Sequence, residues 1–362
     1  MHRKAEYMAE TPDLQIRHIF PKRWQDDLLR VDQQLPELPG LERRPMEMIG
    51  SPVDPHRSFY RTLAFGIPGF RPHIIHAEEE PDSLAALQIA LCRRVFAPRA
   101  KLLLHTWQNL DRPLSRPVSL VLRATLAAAD AIFCANQEAV ALLRQRGYSR
   151  PTPVIPAVGV DTERFGPRAQ REPDIFRVGY VGRLVPEKGI DTLIQAAALL
   201  VGRQTVGDFQ VVIVGGGPAE SALRQQMAVL ALEERVQFVA PVPTGQIAGL
   251  IGGLDALVLP SRSTTVWKEQ LGRVLLEAMA VGVPVIGSDS GAIPEVIGDA
   301  GLIFPEGDVR ALAARLEELR ADAGLRGELI GRGLVRATSL YSQKELAART
   351  VEFYGKLGSG LV

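Results

Sequence analysis

The sequence predicts two doubly wound α/β domains, and three observations carry that prediction. The chain has 362 residues, more than one hydrophobic core of about 250–300 residues organises. From residue 175 onward, short apolar runs alternate with helical patterns, as in a parallel sheet covered by helices. A composition of 46% hydrophobic and 23% charged residues is that of a globular chain able to bury a core.

In the first half, Leu14–Phe20, Ile74–His76, Lys101–His105 and Ala131–Cys134 read as strands, with helices at Ser83–Phe96 and Gln137–Gly147. The chain starts on the helix-like HRKAEYMAE, where a doubly wound domain is expected to open on a strand and a glycine-bearing turn. Gly166–Asp174 is polar, holds a glycine and two prolines and lacks periodicity, so the hinge is expected there, between domains spanning 1–166 and 175–338. Phe176–Val181 then reads as a strand, Gly182–Gly189 as a loop and Ile190–Val201 as a helix with one apolar face. Strands are expected at Gln210–Val214, Val236–Val239, Ala256–Leu259 and Val283–Gly287. Helices are expected at Pro218–Leu230, Thr244–Gly252 and Gly272–Val281.

No run of about 18 apolar residues is present and the start lacks a secretion signal, so a cytoplasmic protein is expected. Cys92 and Cys134 argue against a disulfide framework and read as buried thiols; no His/Cys cluster has zinc spacing. Net charge is +1, which excludes a bulk field for nucleic acid. Residues 1–150 carry +4 and the remainder −3. That mildly basic half would suit peripheral contact with an anionic lipid surface or an anionic acceptor, and plain solvated arginines explain it as well.

Three segments point to an anionic, sugar-bearing ligand. In Gly182–Gly189, between a strand and a helix, Arg183 can grip phosphate with its fork and Lys188 supplies a point charge. Two solvated cations in a turn are the alternative. In Glu269–Glu277, two carboxylates flank a helix start: Glu269 at the mouth can accept from sugar hydroxyls, and the amides of Gln270, Leu271 and Gly272 are donors. A capping Glu269 and a salt-bridged Glu277 are the bland reading. Val283–Glu295 adds a Ser/Asp/Gly loop near the same mouth, or a tight turn and nothing more.

Together, Gly182–Gly189, the two glutamates eight apart and EAMAVGVPVIGSDSGAIPE resemble the family 4 retaining glycosyltransferases, glycosyl transferases group 1, of GT-B fold. The resemblance runs through residues 175–300 and takes in Pro156–Phe165. It implies two Rossmann-like domains facing a cleft, with a last helix around Ser342–Tyr354, within 339–362, crossing back to the first domain. It also implies a nucleoside-diphosphate sugar donor, a saccharide, lipid-linked or small-molecule acceptor, retained stereochemistry and no obligatory metal or cofactor. Arg183 and Lys188 would neutralise the donor pyrophosphate, Glu269 with Gln270, Leu271 and Gly272 would hold the sugar, and Glu277 the ribose hydroxyls. His105, ending the strand KLLLH, is the candidate catalytic histidine and His76 the runner-up; a hydrogen-bonded structural histidine is the alternative for His105. Glu78, Glu79 and Glu80 could bind acceptor or form a solvated loop. The family's glycine-rich opening turn is missing, which keeps open a non-catalytic nucleotide-sugar-binding module; a nucleotide-sugar epimerase on the same fold is the third reading.

Overall fold

The computed structural model describes residues 2–22, 37–51, 54–167, 175–203 and 208–359, and the chain divides into two compact units, residues 1–158 with 343–362, and residues 159–342. From residue 168 onward, the stretch expected to hold the hinge lies outside the described residues.

The first unit opens with helix α1 (His2–Ala9). Strand β1 (Ile16–Pro21) pairs in parallel with β2 (Leu41–Met46), Ile16 beside Leu41. Strands β3 (Met48–Gly50) and β4 (Ser58–Tyr60) form an antiparallel ribbon, and α2 (Ile67–Phe70) follows. Next come β5 (Ile74–His76), α3 (Leu84–Phe96), β6 (Lys101–Thr106), α4 (Arg116–Ala128), β7 (Ala131–Cys134) and α5 (Gln137–Gln145). The three strands form a parallel sheet in the order β5-β6-β7. Ser83 caps α3, its Oγ accepting from the Ala86 amide at 3.0 Å, which fixes the helix start that the sequence pattern suggests.

In the second unit the elements are β8 (Phe176–Val181), α6 (Ile190–Arg203), β9 (Phe209–Val214), α7 (Glu220–Val229), β10 (Val236–Val239) and α8 (Ile247–Gly252). After them come β11 (Ala256–Leu259), α9 (Arg273–Val281), β12 (Val285–Ser288), α10 (Ile293–Ile297), β13 (Gly301–Phe304), α11 (Val309–Ala321) and α12 (Ala323–Ser339). All six strands are parallel, in the order β10-β9-β8-β11-β12-β13. β11 and β12 are buried at every position, as strands covered on both faces must be, which is why ALVL and VIGS read as unbroken or nearly unbroken apolar runs. The order reverses between β8 and β11, so the crevice beyond their carboxyl ends is the switch point where such sheets take ligands.

Helix α13 (Gln343–Ser359) belongs to the first unit. Alternation along β6 and β7 sends Leu102, Leu104, Ile132 and Cys134 to a core with Ala85, Ala86 and Ile89 of α3. It sends Leu103, Ala131 and Phe133 to the opposite face, where Leu346, Phe353 and Leu357 of α13 meet them. Burying each such side chain stabilises by about 1.5–3 kcal/mol, so without α13 that face would be open to water. Both cysteines are free and buried, as expected, and burial pushes the Cys134 thiol up to about 12. The opening helix is fastened by charge: Lys4 Nζ lies 2.9 Å from Glu78 Oε1, and Arg43 Nη2 lies 2.8 Å from Glu6 Oε1.

Candidate active site

At the switch point, the loop after β8 turns through a single 3-10 turn, Pro186–Lys188, and is held against the end of β11 by a glycine. Gly189 adopts φ +63°, and a Cβ there would stand 2.0 Å from the Pro260 carbonyl oxygen, so no side chain fits. The Arg262 amide donates to the Glu187 carbonyl at 2.8 Å and joins the two loops from the other side.

This contact brings together residues 81 positions apart. Lys188 Nζ donates to Glu269 Oε2 at 2.6 Å, and Ser261 Oγ donates to the same oxygen at 2.8 Å. Glu269 is 6% exposed, and Lys188 Nζ also sits 4.8 Å from the centre of the Trp267 ring. Gln270, Leu271 and Gly272 carry the chain from this carboxylate into α9, with Gly272 as the residue before the first turn. Glu277, two turns further along and buried, is paired with Arg273 Nε at 3.1 Å. Burial pushes its carboxyl up, and the Arg273 and Arg164 guanidiniums work against that shift. The Arg183 side chain is exposed, and its carbonyl accepts from the Tyr180 hydroxyl at 2.8 Å. The second unit therefore gathers Gly182, Arg183, Lys188, Glu269 and the start of α9 at one end of its sheet.

Neighbouring loops hold this constellation still. The segment Val283–Glu295 is more than a turn: Ser288 Oγ donates to the Ser261 carbonyl at 2.5 Å, and the Ala292 amide donates to the Glu269 carbonyl at 2.9 Å. Ser263 Oγ reaches Glu306 at 2.6 Å. After β9, Gly215–Gly217 lies on the β8 loop so closely that a Cβ at Gly215 would be 1.9 Å from the Gly182 oxygen. Reasoning from sequence passed over Ser261, Trp267 and these glycines. A run of three glycines directly after an apolar strand was the available signal for the last.

In the first unit both candidate histidines lie inside the structure. His105 is 1% exposed, with Nε2 3.1 Å from the Ile155 carbonyl oxygen, and offers no surface to a sugar; its placement is that of the structural alternative. His76 is likewise enclosed, its Nδ1 2.7 Å from the Tyr354 hydroxyl and its ring edge-on to Phe133. Nor do Glu78, Glu79 and Glu80 form a solvated loop. Glu78 pairs with Lys4, while Glu80 accepts from Thr106 Oγ1 and the Trp107 amide, both at 2.7 Å. Burial pushes Glu79 and Glu80 up to about 7, helped at Glu79 by the neighbouring Glu80.

Burial lowers the His105 ring to about 4, with the Glu78 carboxylate opposing it. An unfolded histidine titrates near 6.5, so below that pH unfolding takes up a proton, and stability falls as pH drops from about 6.5 towards 4. By about pH 4.5 this ring accounts for about 2–3 kcal/mol of the loss. Unfolding of His105→Gln across that range is expected to show a shallower acid slope than the parent; equal slopes would mean that the folded ring is already charged.

Among the described residues, no group of three His, Cys, Asp or Glu side chains is placed to hold a metal ion. No described helix is long and apolar enough to cross a membrane.

The family model described as glycosyl transferases group 1 matches residues 162–333, which take in both site segments. The chain belongs to that family. One relative is a D-inositol 3-phosphate glycosyltransferase of Salinispora tropica, 30% identical over 270 residues, 68% of this chain and 55% of the relative. Another is a GDP-mannose-dependent alpha-(1-6)-phosphatidylinositol monomannoside mannosyltransferase of Mycolicibacterium smegmatis, 35% identical over 181 residues, 45% of this chain and 46% of the relative. The chain spans about half the length of these curated relatives. Sucrose-phosphate synthase of Thermosynechococcus elongatus superposes with a TM-score of 0.72 at 22% identity, covering 99% of this chain and 92% of that one. That likeness is one of fold, and the fold is GT-B.

Proposed function

We propose that this group 1 glycosyl transferase moves a hexosyl group from a nucleoside-diphosphate sugar to a saccharide, lipid-linked or small-molecule acceptor, with retained stereochemistry and without an obligatory metal. The observation that carries the reading is the pair of half-buried Lys188 and buried Glu269 at the β8/β11 switch point, with Arg183 exposed on the same loop. As the bond from the anomeric carbon to the diphosphate breaks, negative charge gathers on the leaving group. Arg183 and Lys188 would neutralise that charge within a site already ordered to receive it. Glu269 and the backbone from Gln270 to Gly272 would hold the sugar hydroxyls, and Glu277 would accept from the ribose diol. His105 has no part in this reading.

The mycobacterial relative is named for a GDP-sugar and a phosphoinositide acceptor, which supports a nucleotide sugar and admits a lipid-linked acceptor. A thermal-shift series with uridine, guanosine and adenosine diphosphates decides the donor class, because a ligand bound only by the fold raises its melting temperature. One diphosphate is expected to shift it by several degrees, and the matching nucleotide sugar to be consumed with transfer to an acceptor. No shift with any diphosphate would overturn the donor site. Binding without turnover would leave a non-catalytic nucleotide-sugar module, and a free epimerised donor would make the protein an epimerase.

A further inference from the structure

A cationic and apolar face on the first unit has no part in this chemistry. The consecutive order β5-β6-β7 carries both crossover helices, α3 and α4, over one side of the sheet, because parallel crossovers are right-handed, and the two helices pack together. Along α3, Leu84, Leu91 and Val95 fall at the spacing of one helix face and stay in water, Leu91 55% and Val95 68% exposed, with Phe96 exposed beside them. On α4, Leu120 is 65% exposed, one turn after Arg116 and one turn before Arg123. Residues 83–129 contain seven Lys/Arg and a single acid, Asp111. Four of those cations, Arg94, Arg99, Arg116 and Arg123, are exposed and join no ion pair among the described residues.

Large apolar side chains held in water beside unpaired guanidiniums are the mark of helices that lie in a membrane interface. There the leucines and valine enter the acyl boundary while the arginines meet lipid phosphates. A two-fold contact with a second copy would set these arginines against themselves, and a nucleic acid would leave the apolar side chains unused. We propose that the α3–α4 face seats the first unit on an anionic lipid bilayer. The proposal uses no donor-site residue and stands apart from the transferase reading.

Cosedimentation of the full chain with vesicles tests it. Binding is expected with phosphatidylglycerol in phosphatidylcholine, not with phosphatidylcholine alone, and is expected to weaken with salt. Arg116→Gln and Arg123→Gln should each lower the partition coefficient about fivefold. Leu91→Ser with Val95→Ser should lower it about tenfold and, at exposed positions, leave the melting temperature unchanged. Failure to bind anionic vesicles would overturn the proposal, as would binding indifferent to both sets of substitutions. A dimer in light scattering that Leu91→Ser dissociates would assign the face to a second copy instead.

Discussion

Lys188→Ala and Glu269→Ala should each lower kcat/KM for sugar transfer by about 10²–10³, the scale of losing one preorganised electrostatic partner of the leaving group or sugar. The two should fail differently. Without Lys188 the diphosphate loses its point charge, so nucleoside-diphosphate binding itself weakens. Without Glu269 the diphosphate keeps its cation, and what disappears is the extra affinity of the nucleotide sugar over the bare diphosphate. Because Lys188 Nζ and Glu269 Oε2 are 2.6 Å apart, the double variant should cost less than the product of the single losses. Lys188→Ala also leaves a carboxylate that is 6% exposed with Ser261 on its Oε2 and no ammonium, so unfolding must be measured beside activity. Full transfer by both single variants, with unchanged unfolding, would remove the donor site from the switch point.

The second large effect is on stability. Lys4 is 2% exposed, and its ammonium lies 2.9 Å from Glu78. Burial alone would push the Glu78 carboxyl up, but Lys4, with the His76 and His105 rings behind it, pulls the other way, and together they hold the group below the usual carboxylate range. Lys4→Met strands that charge and should destabilise the first unit by about 3–5 kcal/mol at neutral pH. Adding Glu78→Gln removes the stranded charge and should recover more than half of the loss. Urea unfolding of the two variants measures both figures. A loss below about 1 kcal/mol would mean that the pair behaves as a solvated surface bridge.

Periodicity located the elements that bury a continuous face, and failed where an element's reason lay elsewhere in the chain. Phe176–Val181, Val236–Val239 and Ala256–Leu259 match the expected strands residue for residue; the first and last lie mostly buried inside the sheet, and the second, at its edge, is still a short, largely apolar run. Strand β2, LERRPM, carries three charges and a proline, so only its pairing with β1 makes it a strand. Helix α7 begins at Glu220 and not at Pro218, because the Ala219 amide is taken by the Leu184 carbonyl as the glycine turn closes on the β8 loop. The site divides in the same way. Arg183, Lys188, Glu269 and Glu277 were legible as charged residues at strand ends and a helix start, yet nothing local says that Lys188 and Glu269 touch. His105 shows the converse. Its strand-end position reads as accessible, whereas it shares the face of Leu103, which is covered by a helix from the far end of the chain.

That helix also fixes an order of events during synthesis. Residues 159–342 carry every strand of their own sheet and can fold as soon as they leave the ribosome. The unit made first has to wait: Tyr354, which reaches back 278 positions to His76, and Phe353, which covers Phe133, are translated after the second unit is complete. Until then Leu103 and Phe133 lack that cover on the nascent chain, the sort of surface that chaperones hold and that aggregates when they do not. Of the two units, the one that finishes folding last is therefore the one made first.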